Sequence, residues 1–155
     1  MSDARFEDAH GGPLRLRAFD AEDLQVISSL VQDSVVPITE MTWNRSQRRF
    51  GMLLNRLRRE ESRIAAGEVE RVQSVLAVED VTAVQVQGID RTDRDLILQV
   101  MTVTMEPGED GGGRVIVTLA GDGALALEVE ALEVTLRDVT RPYVAPSGRI
   151  PDHGA

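Results

Sequence analysis

The close spacing of apolar segments between residues 70 and 130 constrains the fold more than any other feature of this chain. Five runs rich in Val, Ile, Leu and Thr are separated by short clusters of turn-forming residues. Such runs are typical of β-strands, and connections this short leave no room for the crossover helices of a parallel sheet. The sequence therefore predicts antiparallel strands at residues 70–78, 81–87, 96–105, 114–120 and 124–130.

The last two of these strands form the clearest predicted hairpin. They flank the sequence Gly-Asp-Gly at residues 121–123, whose glycines can supply the positive φ angles that a three-residue hairpin loop needs. Leu125, Leu127 and Val129 alternate with small or acidic residues. Because successive side chains of a strand point to opposite faces, this alternation predicts one dry face and one wet face.

An amphipathic helix is predicted near the N-terminus, after a first strand at residues 14–19. Asp20 is a good N-cap, and apolar residues follow it at helical spacing. Pro37 then stops the helix, because proline lacks the N–H that a helix interior needs. We expect the helix to span residues 21–35 and to cover one face or one end of the sheet.

A second hairpin is predicted from Ile38–Trp43 and Arg48–Leu57, which flank a polar turn at residues 44–47. Trp43 and Phe50 are expected to lie near this turn. The charged segment at residues 58–69 is interpreted as a loop or a loose helical turn.

Residues 130–139 fit two structures. Their apolar residues recur at helical spacing, but some of them also alternate as in a strand. The helix formers Glu130 and Glu133 favour a helix, whereas β-branched Val134 and Thr135 favour a strand. We predict a short helix and keep the strand as the alternative.

Together these elements predict a single α+β domain at residues 14–140. Its core is a largely antiparallel β meander or roll of about seven to eight strands, with one N-terminal amphipathic helix and a short C-terminal helix. This order of elements is similar to that of a pleckstrin-homology-like roll, which by itself would not define a function. Residues 1–13 are expected to be a disordered lead-in, and residues 141–155 a Pro-rich extended tail.

The composition excludes several kinds of chemistry. Cysteine does not occur, which rules out thiol catalysis, disulfides and thiolate metal sites. The two histidines, His10 and His153, each lie in a presumed tail, where no scaffold would aim them. We therefore expect no cofactor, no metal site and no catalytic residue, and we favour a protein that is not an enzyme.

Three further clusters carry reactive residue types but are interpreted as structural. Asp90, Asp93 and Asp95 lack the glycine and the terminal glutamate of an EF-hand loop. The glycine-rich residues 108–113 precede a strand, whereas a phosphate cradle needs a helix N-terminus. The glutamates between residues 128 and 133 are expected on the wet face of a strand, not in an enclosed acid–base site.

Targeting segments are not evident in the sequence. The first residues are acidic with no apolar region, and no uninterrupted apolar run exceeds four residues. We therefore expect a cytoplasmic protein with no signal peptide and no membrane span.

Positive charge is concentrated in one segment. The net charge is −9, and all 17 basic residues are arginine. Residues 45–63 hold seven arginines and two glutamates, a local charge of +5 against −14 for the remainder. Arginines beside aromatic side chains on a hairpin can contact phosphates, stack on bases or dock an acidic protein. The candidate binding residues are Trp43, Arg45, Arg48, Arg49, Phe50 and Arg56.

Several segments carry a resemblance to a known family: Leu14–Leu24, Gln32–Val36, Arg48–Phe50, Leu54–Arg56, Arg71–Val72, Gly88–Asp90, Leu127–Glu130 and Leu136–Asp138. Through them the chain resembles the domain of unknown function 2948 family, which consists of small bacterial proteins. The resemblance covers most of the chain from Leu14 to about Asp138. It implies a bacterial cytosolic protein and carries over no activity, cofactor or catalytic residue.

Three functions stay open at this point. The favoured one is a non-enzymatic interaction or structural module that contacts a protein partner. The second is a small-ligand-binding protein or an enzyme with a site in the β-roll, which a deep pocket holding two or more Asp, Glu or Arg side chains would favour. The third is RNA binding through the Arg45–Arg63 hairpin, which the net negative charge disfavours. A homodimer formed through an exposed edge strand is compatible with all three.

Overall fold

The computed structural model describes residues 13–58 and 70–140, together with the backbone of residues 143–144. In this part of the chain it is an α+β structure with one α-helix, α1 (Ala21–Val31), and a short 3₁₀ turn at Ile38–Glu40. The sheet has ten strands of at least three residues and one of two residues. These are β1 (Arg15–Ala18), β2 (Val35–Pro37), β3 (Met41–Asn44), β4 (Arg49–Arg58), β5 (Glu70–Val78), β6 (Val81–Gln87), β7 (Ile97–Pro107), β8 (Gly113–Leu119), β9 (Ala124–Val129), β10 (Val134–Asp138) and β11 (Tyr143–Val144).

Every strand pairing in the described residues is antiparallel, as the short connections predict. The strand order is β1-β10-β5-β4-β2-β7-β8-β9-β6, with β3 and β11 pairing at the sides of β4 and β5. The short links from β5 to β6 and from β9 to β10 join strands that are far apart in this order. Strand β7 pairs with both halves of the sheet, β1-β10-β5-β4-β2 and β8-β9-β6. Buried side chains of both halves belong to one hydrophobic core.

The strand predictions between residues 70 and 130 are confirmed. The β8–β9 hairpin shows the expected alternation, with Leu125, Leu127 and Val129 buried against the core. Its loop closes with a hydrogen bond from the N–H of Leu119 to the carbonyl of Gly123 (2.8 Å), and Gly121 has the positive φ (82°) that such a loop needs.

Helix α1 begins as predicted and ends earlier. The Asp20 carboxylate accepts a hydrogen bond from the N–H of Asp23 (2.8 Å), and the buried side of the helix packs on β7, β1 and β4. The helix ends at Val31, because Asp33 adopts a left-handed φ of 69° and the chain then enters β2. The predicted end at residue 35 is therefore wrong. Val35 and its neighbours pair instead with β7 and β4, which satisfies their backbone groups between two strands.

The predicted short C-terminal helix is also wrong. Residues 134–138 form β10, which lies between β1 and β5. Residues 134–137 pair with β1, and all five residues pair with β5. Val134 and Leu136 are fully buried on its inner face. The strand-like alternation of the apolar residues, and not their helical spacing, therefore indicates the structure of this segment. The pleckstrin-homology-like comparison depended on a closing helix at this position and is not confirmed.

The predicted strand number of seven to eight is too low, because β10 comes from a segment predicted to be helical and the short β2 begins at the predicted end of the helix. The lead-in at residues 1–13 and the loop at 58–69 fall almost entirely outside the described residues. The same holds for the tail at 141–155, except that the backbone of β11 pairs with β5. Among the residues that the structure describes, no helix is long and apolar enough to cross a membrane.

Candidate functional site

A cavity of about 530 Å³ lies between the β3–β4 hairpin and strand β6, and we call it the β3–β6 groove. Nine of its fourteen lining residues are apolar or aromatic, and the lining comes from β3, β4, β6 and β9 and from the segments on either side. Two threonines, Thr39 and Thr82, and three arginines supply its polar groups. The apolar and aromatic lining residues are Ile38, Met41, Trp43, Phe50, Ala83, Val84, Val86, Ile89 and Leu125.

The aromatic part of the groove is built by the hairpin that the sequence predicted. Trp43 in β3 pairs directly with Phe50 in β4, so their side chains share one face of the hairpin. Phe50 and Leu125 are 4% and 2% exposed and belong to the core, whereas Trp43 is half-buried. Trp43 therefore presents part of its ring to the cavity on a rigid hydrophobic base.

The loop between β6 and β7 carries two of the three arginines, Arg91 and Arg94. Its turn is held by local bonds: Asp90 Oδ1 accepts from the N–H (3.0 Å) and hydroxyl (2.6 Å) of Thr92, and Asp93 Oδ1 accepts from the N–H of Asp95 (3.1 Å). The aspartates of this loop thus bond to their own turn. Arg91 and Arg94 line the cavity, so the loop contributes two guanidinium groups to it.

The pKa of Asp90 reflects this turn. The hydrogen bond from the Thr92 hydroxyl, and next that from its N–H, lowers the pKa of Asp90 below its ordinary value of 3.8, since both bonds favour the charged carboxylate. A carboxylate with a lowered folded-state pKa stabilises the fold above its unfolded pKa, and this contribution is lost as the pH falls through the lower folded value. The contribution of the Asp90 carboxylate to the turn is therefore present at neutral pH.

All ionisable side chains that line the groove are arginines: Arg45 from the β3–β4 turn, and Arg91 and Arg94 from the loop. Among the residues that the structure describes, no carboxylate lines it. Within residues 13–58 and 70–140, none of the three takes part in a salt bridge or a side-chain hydrogen bond. Their guanidinium groups can therefore interact with a ligand in the groove.

The other arginines of the predicted cluster have partners in the fold. Arg48 forms an ion pair with Glu130, and Arg49 Nε donates to both carboxylate oxygens of Glu79 (3.0 and 2.9 Å). These pairs connect the hairpin to the segment between β5 and β6 and to the segment between β9 and β10. They leave Arg45, with Trp43 and Phe50, as the part of the predicted site that lines the cavity.

Arg56 does not belong to this site. It lies six residues beyond Phe50 on the same face of β4, about 20 Å along the strand at roughly 3.3 Å per residue. There it is buried and donates to Asp138 (2.9 Å) and Ser74 (3.0 Å). The arginines that the sequence reasoning missed are Arg91 and Arg94, which lie between the aspartates of the β6–β7 loop.

The remaining clusters make ion pairs and turn hydrogen bonds within the fold. Glu128, Glu130 and Glu133 form separate ion pairs with Arg114 (2.6 Å), Arg48 and Arg17 (3.7 Å), so they do not converge on one site. The glycine-rich residues 108–113 close the β7–β8 hairpin through a bond from the N–H of Gly108 to the carbonyl of Gly112 (2.8 Å). No group of three or more potential metal ligands occurs among the described residues.

Fold and groove together define an antiparallel α+β protein with an apolar, arginine-rimmed cavity at the junction of the two halves of its sheet. The chain belongs to the family described as Protein of unknown function (DUF2948), whose family model matches residues 14–153, nearly the whole chain. The resemblance seen in the sequence is thereby confirmed. Comparison with curated proteins and with solved structures gave no match.

Proposed function

We propose that this protein is a binding module whose β3–β6 groove receives an anionic ligand that carries an apolar group. One observation carries the proposal: the groove combines an apolar, Trp43-containing lining with three arginines and no carboxylate. The chain as a whole has a net charge of −9, with 26 acidic residues against 17 arginines. A carboxylate-free cavity is therefore a local departure from the charge of the chain.

The size and lining of the groove support this proposal. Ligand pockets commonly measure about 300–1,000 Å³ and are mostly apolar, with a few polar groups that orient the ligand. The cavity of about 530 Å³ falls within this range. Arginine suits the orienting role, because its planar guanidinium can form two parallel hydrogen bonds with a carboxylate, sulfonate or phosphate.

Among the functions left open by the sequence, the structure favours a binding site in the β-roll. A docking surface made of Arg45, Arg48 and Arg49 loses two of its three charges to Glu130 and Glu79. The proposed function is binding without a reaction step. The ionisable groups that line the groove are arginines, whose guanidinium groups donate hydrogen bonds and accept none.

The test uses anilinonaphthalene sulfonate, a probe that joins an aromatic body to an anionic group. Trp43 is the only tryptophan of the chain, so its fluorescence reports directly on the groove. We expect saturable binding with quenching of Trp43. Arg91→Glu/Arg94→Glu should weaken binding by about tenfold or more, because two attractive contacts become repulsive.

The matched control is Arg15→Glu/Arg137→Glu. These two arginines are exposed and lie opposite each other on β1 and β10, away from the groove. The control makes the same change in net charge and should bind like the wild type. An equal loss in both variants, or no saturable quenching of Trp43 in the wild type, would refute the proposal.

A further inference from the structure

Strand β6 forms one wall of the groove and is an edge strand. It stands at the end of the strand order, and within the described residues it pairs only with β9. An edge strand presents a row of backbone N–H and C=O groups that have no partner in the sheet. One long side of β6 is therefore available for pairing.

Strand β6 lines the groove with residues of both orientations. Val84 and Val86 lie on one face of the strand and line the cavity, and Ala83, whose side chain alternates with theirs, also lines it. The other wall of the groove is the β3–β4 hairpin, which does not pair with β6. Within the described residues one edge of β6 pairs with β9, so the other edge is the one that can accept a further strand.

The available part of the edge is short and regular. A bulge interrupts the pairing between Val81 and Ala83, and the ladder is regular from Ala83 to Gln87. Five residues correspond to about 17 Å of strand. This length can pair with a short extended segment but not with a long strand.

An occupant that fills the groove also removes water from this edge. Backbone groups that lose water without gaining a partner are destabilising, so the occupant should supply hydrogen-bond donors and acceptors at the spacing of a strand. A small apolar anion cannot do this. An extended peptide can, and its alternate side chains would point into the apolar lining and toward the rim.

We infer, on the basis of the proposed function, that the ligand is an extended acidic peptide segment that adds to the open edge of β6 as an extra strand. Its apolar side chains pack against Trp43 and Val84, and its carboxylates pair with Arg45, Arg91 and Arg94. The charge complementarity is direct, because the lining carries three cationic side chains and no anionic one. The peptide backbone supplies the partners that the edge of β6 lacks.

The test uses a capped hexapeptide in which valine and glutamate alternate, followed through Trp43 fluorescence and through displacement of anilinonaphthalene sulfonate. Two control peptides carry N-methyl groups, one on every valine nitrogen and the other on every glutamate nitrogen. They keep the side chains and the charge but remove the backbone donors of one edge. At least one should bind about tenfold or more weakly, since several hydrogen bonds are lost.

Amide hydrogen exchange supplies a second measurement on the unmodified protein. The parent peptide should slow exchange at alternate amides between Ala83 and Gln87, whereas anilinonaphthalene sulfonate should not. Strand β1, the edge strand at the opposite end of the sheet, should exchange at the same rate with and without peptide.

The outcomes separate this inference from the proposed function. If the sulfonate binds but the peptide neither displaces it nor protects β6, the groove binds small anions and the inference is wrong. If both methylated peptides bind as well as their parent, recognition rests on side chains alone and strand addition is refuted. If neither the sulfonate nor the peptide binds, the inference fails together with the proposed function.

Discussion

Arg56 shows how this sheet accommodates a charged pair in its interior. Its side chain and that of Asp138 are each 3% exposed. The Asp138 carboxylate accepts bonds from Arg56 (2.9 Å), from the Ser74 hydroxyl (2.7 Å) and from the N–H of Leu14 (2.8 Å). The network links β4, β5 and β10 to the residue before β1, and it offsets the desolvation of both charges with several hydrogen bonds.

Removal of one member of this pair should be strongly destabilising. We expect Asp138→Ala to lower the free energy of unfolding by about 3–5 kcal/mol, because it leaves the Arg56 charge buried without its anion. The double variant Arg56→Met/Asp138→Leu should cost less than the sum of Asp138→Leu and Arg56→Met, since no charge stays unpaired. Urea denaturation of the variants measures this coupling, and strict additivity would contradict it.

At the scale of single residues, the sequence predicted individual side chains well where the pattern is local. Asp20 caps α1, and Trp43 faces Phe50 beside the predicted turn. The sequence could not show that Arg45 lines the groove whereas Arg48 and Arg49 form ion pairs. The partners of the latter two, Glu130 and Glu79, are remote in sequence. The same limit applies to Arg56, which had been grouped with the hairpin turn.

At the scale of elements, the type and the bounds of a segment depended on whether pairing with neighbouring strands outweighed its local helix or strand preference. Helix α1 has a defined start because the Asp20 carboxylate satisfies an N–H that no helical carbonyl can reach. Its end is set differently, by the pairing of β2 with β7 and β4. In β10, the bonds to β1 on one side and β5 on the other outweigh the helix preference of the flanking glutamates.

The helix start can be tested on its own. Asp20→Ala should lower the free energy of unfolding by about 1 kcal/mol, because the N–H of Asp23 loses its acceptor. Asp20→Ser should restore most of this loss, since serine is also a good N-cap. Thermal unfolding followed by circular dichroism measures both variants. An alanine variant as stable as the wild type would show that packing on β7 alone defines the start of α1.

At the scale of the whole molecule, two opposing fields act on an anion that approaches the groove. The three arginines attract it at contact distance, whereas the remainder of the chain, which is strongly acidic, repels it from farther away. The Debye length falls from about 30 Å at 0.01 M salt to about 10 Å at 0.1 M. Added salt therefore screens the distant repulsion first and the contact attraction later.

This difference predicts an affinity that passes through a maximum. The affinity of the wild type for anilinonaphthalene sulfonate should rise from low sodium chloride to about 0.1 M and fall above it. For Arg91→Glu/Arg94→Glu it should show no such fall, because little attraction is left to screen. Titrations followed by Trp43 fluorescence across a salt series provide the measurement. A steady decrease in the wild type from the lowest salt onward would mean that the acidic surface does not act on the groove.

By itself the sequence determined the antiparallel class of the sheet, the hairpins, the start of the helix and the family. These features depend on short-range rules: the spacing of turns, the alternation of side chains and the capping of one N–H. Only the tertiary structure decided that residues 134–138 are a strand, that the helix ends at Val31, and that Arg45 lies in one groove with Arg91 and Arg94. Each of these depends on contacts between segments far apart in the chain, whose pairing energy no local pattern contains.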